Sequence, residues 1–147
     1  MGYTHYWRMN DEGCSDETWD KISRSIMALV VHEEFRGIRV CGGDGTRTPL
    51  FTDESIEFNG SEDGDLYHEP CTIERNGEGF NFCKTAHKPY DALVVASLLV
   101  LYTYHGGVTK LTSDGGEDGI LAGLWLCEKV LGFGTVQMPD RDDEANG

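Results

Sequence analysis

Apolar and polar positions along this chain fall into three helical and several extended patterns. At the start, Tyr3, His5 and Trp7 alternate with Thr4, Tyr6 and Arg8, the period-two signature of a strand. Ser15, Asp16 and Glu17 give a capping hydroxyl and first-turn acids, and Trp19, Ile22, Ile26, Leu29 and Val30 then recur at helical spacing. Short extended pieces follow at Ile38 to Cys41, Leu50 to Thr52 and Ser55 to Phe58, the last closed by an Asn59-Gly60 turn signal. Cys71 to Glu74 and Phe80 to Cys83 read as a hairpin across Asn76-Gly77. Pro89 and Asp91 open a second helix that is apolar nearly all round from Ala92 to Leu101, so both of its sides must be covered. Val108 to Leu111 is extended, Asp114 and Glu117 have capping-box spacing, and Ile120, Leu121, Leu124, Trp125 and Val130 form one apolar helical face.

Strands and helices in this order lack regular βαβ alternation. The expected fold class is therefore α+β, a mostly antiparallel sheet with helices packed on one face, in the order β-α-β-β-β-β-α-β-α. A single domain is expected over residues 1–134, with an acidic tail over 135–147. A chain of 147 residues with 39% hydrophobic content can bury a real core. Its longest apolar run is too short to cross a bilayer, and no secretory signal pattern opens it, so a cytoplasmic protein without a membrane partner is expected.

Charge changes this picture. The net value is −14, from 26 acids and 12 bases, and Asp53 to Glu78 holds nine acids against Arg75 alone. Such a balance argues against direct nucleic-acid binding, which needs a basic face. It admits a different idea, that an acidic surface imitates DNA toward a basic protein. The five cysteines have no CxxC spacing and read as reduced, mostly buried thiols; no metal site and no cofactor are expected.

Candidate chemistry gathers in three places. The first strand carries Tyr3, His5, Tyr6, Trp7 and Arg8, a set able to stack on a planar group and hold an anion nearby. Lys84, Thr85, His87, Lys88 and Tyr90 precede a helix N-terminus in an otherwise acidic chain, which suits a phosphate. Ser113 and Asp114 stand before Gly115-Gly116, where backbone amides can approach a ligand. No nucleophile elbow, P-loop, HExxH or dinucleotide fingerprint is present.

The Tyr3 to Trp7 start, Phe58-Asn59-Gly60, the Phe82 to Thr85 and Lys88 to Asp91 blocks, and Ser113-Asp114-Gly115 resemble a group of small phage and bacterial proteins that share an MGYTHYW start. The resemblance spans most of the chain and brings no established activity. It implies a phage-encoded setting, in which small proteins counter host defence by binding or cleaving nucleotide signals. Together these readings point to a binder of a nucleotide-derived small molecule, in its sharpest form a sponge for a cyclic nucleotide immune signal. The expected ligand residues are Tyr3, His5, Tyr6, Trp7, Arg8, Lys84, Thr85, Lys88, Tyr90, Ser113 and Asp114. The alternatives are a phosphodiesterase using His5 and Lys84, or an acidic interaction inhibitor. A homodimer is the expected assembly.

Overall fold

Helix α2 (Asp91–Tyr104) organises the molecule, because every residue from Leu93 to Leu101 is buried. A computed structural model describes residues 3–139, and in it α2 packs against both α1 (Asp16–Phe35) and α3 (Gly116–Leu131). Local chemistry starts α1: the Ser15 side chain accepts a hydrogen bond from the Thr18 amide at 3.1 Å, and Asp16 and Glu17 occupy the first turn. Its buried positions, Trp19, Ile22, Ile26, Leu29 and Val30, are those of the helical apolar face. Helices α2 and α3 approach closely at Gly123, where an added Cβ would lie 2.7 Å from the Ala96 amide nitrogen.

Among the described residues seven strands complete the fold: β1 (Thr4–Met9), β2 (Val40–Cys41), β3 (Leu50–Phe51), β4 (Ser55–Gly60), β5 (Cys71–Glu74), β6 (Gly79–Lys84) and β7 (Val108–Ser113). The class is α+β and the described pairings are all antiparallel. Five strands, not four, separate α1 from α2, and they divide between two sheets instead of one. The first sheet has the order β6-β1-β7, with α2 and α3 packed against β7. In the second, β4 pairs with β2, β3 and β5.

Two local signals are overridden. Asn59 and Gly60 lie inside β4 and pair with Cys41 and Val40, so the expected turn there is absent. The Asn59 amide is buried and fully used: Nδ2 donates to the carbonyls of Gly43 and His68, and Oδ1 accepts from the amides of Gly60 and His68. Glycine is required at 60 because the Leu66 carbonyl occupies the space a Cβ would take. Likewise β5 and β6 are not a hairpin; residues 75–78 carry the chain from one sheet to the other. Beyond α3, Val136 is buried, the Thr135 carbonyl accepts from the Tyr104 hydroxyl, and the Gln137 amide donates to Thr103 Oγ1. The packed chain thus continues past Gly134, while the acidic residues 140–147 lie outside the described residues. Among the described residues, no helix is long and apolar enough to cross a membrane.

Candidate functional site

Strand β1 is central in its sheet, and its two faces have opposite character. On the inner face His5 is fully buried and stands opposite Ser113 in the β1–β7 register. Its Nδ1 lies 2.9 Å from Ser113 Oγ, and its Nε2 lies 2.6 Å from Asp91 Oδ1. The Thr85 hydroxyl donates to the same Asp91 oxygen, and Ser113 Oγ accepts from the Gly115 amide at 3.0 Å. Burial works to raise the Asp91 pKa. Hydrogen bonds from His5 and Thr85, with electrostatic help from His5 and His87, outweigh it and hold the carboxyl below its usual range. An ionised carboxylate only accepts, so the His5 Nε2 is a donor.

Three junctions build this cluster. The Thr85 amide donates to the Tyr3 carbonyl, fixing the β6–α2 loop to the start of β1. The Asp114 amide donates to the Thr4 carbonyl, and the Thr4 amide donates to Asp114 Oδ2 at 3.1 Å, fixing the end of β7. Between β6 and α2, Ala86 and His87 both adopt positive φ, 51° and 59°, unfavourable for residues with a Cβ. That turn lays the His87 ring on Tyr3, with centroids 3.6 Å apart and planes 24° from parallel. Tyr3 also meets His5 edge-on at 5.1 Å. The Tyr3 hydroxyl rests on α3's start, where a Cβ on Gly119 would lie 2.5 Å from it and 2.7 Å from Ser113 Oγ. Three of the sequence blocks singled out above therefore meet in one place.

On the outer face, the register sets Phe80, Arg8 and Lys110 in one row, Phe82, Tyr6 and Thr112 in the next, and Lys84 opposite Thr4. Phe80 and Phe82 are 55% and 47% exposed, far more than ring burial would favour. The rings of Tyr6 and Phe80 are 5.8 Å apart, and those of Phe80 and Phe82 are 5.9 Å apart. Arg8 lies 5.7 Å from the Phe80 centroid and the Lys84 ammonium 5.8 Å from that of Phe82. A shallow cavity of about 210 Å³ opens here, lined by Tyr6, Trp7, Arg8, Phe80, Lys110 and Thr112. A larger one of about 550 Å³ lies against α1, but Asp16, Asp20, Asp53 and Glu54 line it beside Arg75, and it contains none of the candidate residues. Those carboxylates make it a poor seat for an anion.

The eleven expected ligand residues are thus dispersed. Tyr3, His5, Thr85, Ser113 and Asp114 come together around Asp91, and Tyr6, Arg8 and Lys84 share the outer face. Trp7 is 2% exposed and belongs to the core. Tyr90 is fully buried; its hydroxyl donates to the Glu69 carbonyl, and burial, with nearby Cys83, Cys71, Glu69 and Asp91, pushes its pKa well up. Lys88 is held at the Asp65 carbonyl and carboxylate, away from both groups. His5 and Lys84 point to opposite faces of the sheet, which removes the joint site expected for them. Sequence reading passed over Asp91 as a helix-start acid and missed Phe80, Phe82 and Lys110, although Phe80, Phe82 and Lys84 already alternate with period two.

His105 closes the C-terminal end of α2. It is buried, with Nε2 donating to the Arg75 carbonyl and Nδ1 accepting from the Gly107 amide. The thiols of Cys71 and Cys83 hydrogen-bond each other in the core, and that bond, with burial, raises the Cys71 pKa well above its usual value. Among the described residues no group of three His, Cys, Asp or Glu side chains could hold a metal ion. No protein-family model matches this chain, and neither a curated protein nor a solved structure resembles it at a significant level.

Proposed function

We propose that this protein binds a small nucleotide-like ligand on the outer face of the β6-β1-β7 sheet. The observation that carries the reading is the lattice of exposed Phe80 and Phe82 and half-buried Tyr6 interleaved with Arg8, Lys84 and Lys110, in a chain of net charge −14. Exposed rings offer a base a stacking platform worth about 1–3 kcal/mol per base. The three cations supply the local positive field that phosphate requires. The surrounding acidity disfavours a long polyanion and leaves a compact ligand as the better fit. The phage-like resemblance makes a cyclic nucleotide immune signal the sharpest version, and sequestration its use.

Incubation of the purified protein with a panel of nucleotides, including cyclic mono- and dinucleotides, tests the reading. Bound ligand is recovered by heat denaturation and chromatography. A nucleotide released intact from the wild type, and not from Phe80→Ala, is the expected result. Failure to retain any member of the panel overturns it. A basic host protein captured instead, and lost between about 50 and 200 mM salt, identifies the acidic surface as the functional one.

A further inference from the structure

The inner face carries a second arrangement that ligand stacking does not use. We propose that Ser113, His5 and Asp91 form a nucleophile relay that transfers the acyl group of an uncharged carboxylic ester. Asp91 accepts from His5 Nε2 at 2.6 Å and so turns the other ring nitrogen, Nδ1, toward Ser113 Oγ at 2.9 Å. Thr85 fixes the carboxylate from its other side by donating to the same oxygen. The Gly115 amide donates to Ser113 Oγ and orients its hydroxyl hydrogen toward the imidazole. His5 is sealed from solvent, whereas Ser113 is half-buried at a strand-to-helix turn. Three residues beyond it is exposed Gly116, with φ of 59° and open space where a Cβ would project. Helix α3 begins there with Gly115 as its N-cap, so the positive end of its dipole faces the region of the Ser113 hydroxyl, where an oxyanion would form.

The charge around Ser113 selects the substrate. Asp114 follows it in the chain, Asp91 lies across the His5 ring from it, and the nearest cation by register, Lys84, projects from the opposite face of the sheet. A phosphodiester would bring a further negative charge beside two carboxylates, while a carbonyl group brings none. In the reaction Ser113 Oγ bonds to the carbonyl carbon and its proton passes to His5 Nδ1. The alcohol leaves with that proton. Water then attacks the acyl-serine, giving its own proton to Nδ1, and the serine departs as the hydroxyl while the acid is released.

An alkyl fluorophosphonate probes this relay directly, since Ser113 Oγ would bond to phosphorus with loss of fluoride. Intact mass and peptide mapping of the full chain should show one adduct, at Ser113, absent in Ser113→Ala. Labelling should be about 100-fold slower in Asp91→Asn, which leaves the imidazole without its carboxylate. The same factor should separate folded from urea-unfolded wild type, a comparison that stands even if the variant fails to fold. No adduct on the folded protein, an adduct only at another serine, or rates within about tenfold between folded and unfolded chains overturns the proposal. Nucleotide retention by the outer face is unaffected by either outcome.

Discussion

The two faces of β1 invert the usual relation between burial and polarity. Inward, His5 is a buried polar ring with both nitrogens partnered. Outward, Phe80 and Phe82 are apolar rings left about half in water beside cations. Burying the first set demands complete hydrogen bonding, and a missing partner is costly. Exposing the second set forgoes hydrophobic stabilisation that the core would give. Stability should therefore depend on the inner face, and recognition of a planar anion on the outer one.

The severest challenge to this division is Asp91→Ala, which strips the acceptor shared by His5 and Thr85. A loss of about 2–4 kcal/mol in denaturant-measured stability is expected, because two buried donors are left without partners. A loss below about 0.5 kcal/mol would show that the inner network contributes nothing to folding. The pH dependence of the wild type sharpens the same point. Asp91's carboxyl is held below its usual value in the folded state, so its contribution is complete above about pH 4 and fades as acid titrates it below that. The acid limb of wild-type stability should flatten in Asp91→Asn.

On the outer face the pattern should reverse. Tyr6→Ala and Phe80→Ala are each expected to weaken nucleotide retention by about 1–3 kcal/mol, or roughly 5- to 150-fold by titration calorimetry. Their melting temperatures should move far less than that of Asp91→Ala. Unfolding by either variant, with affinity intact, would break the comparison. The smallest effect belongs to Lys84→Ala. Its ammonium lies over the Phe82 ring in solvent, so stability should hold within about 0.5 kcal/mol while affinity drops and its salt dependence becomes shallower.

Much of this was readable from local sequence. The period-two run of Tyr3 to Arg8, the capped start of α1 and the all-apolar α2 each follow from side-chain spacing. What escaped depended on distant partners. Asn59-Gly60 carries the chemistry of a turn, yet two hydrogen bonds donated and two accepted by the Asn59 side-chain amide, with the approach of the Leu66 carbonyl, keep it in β4. The division of β5 and β6 between two sheets is a matter of long-range pairing, invisible in either strand. The cluster around His5 was half legible, since Ser113 and Thr85 stood out as polar groups at helix starts. Asp91 did not, because a first-turn acid already has an ordinary explanation in the helix dipole. Trp7 and Tyr90 looked like ligand residues for the converse reason: composition cannot distinguish a ring that stacks on a ligand from one that fills a core.

The central place of β1 also has a consequence for biosynthesis. Residues 4–9 are translated before any other element described here, yet their two partners are residues 79–84 and 108–113. At about 5–20 residues per second, roughly 5–20 s pass between synthesis of β1 and of β7. Until β6 emerges the strand has no partner, and until β7 emerges one of its two edges stays open. Such widely separated pairing slows folding and favours a late, cooperative closure of the sheet. Ribosome-bound chains halted before residue 108 should accordingly be protease-sensitive at β1, and become resistant only once β7 has emerged.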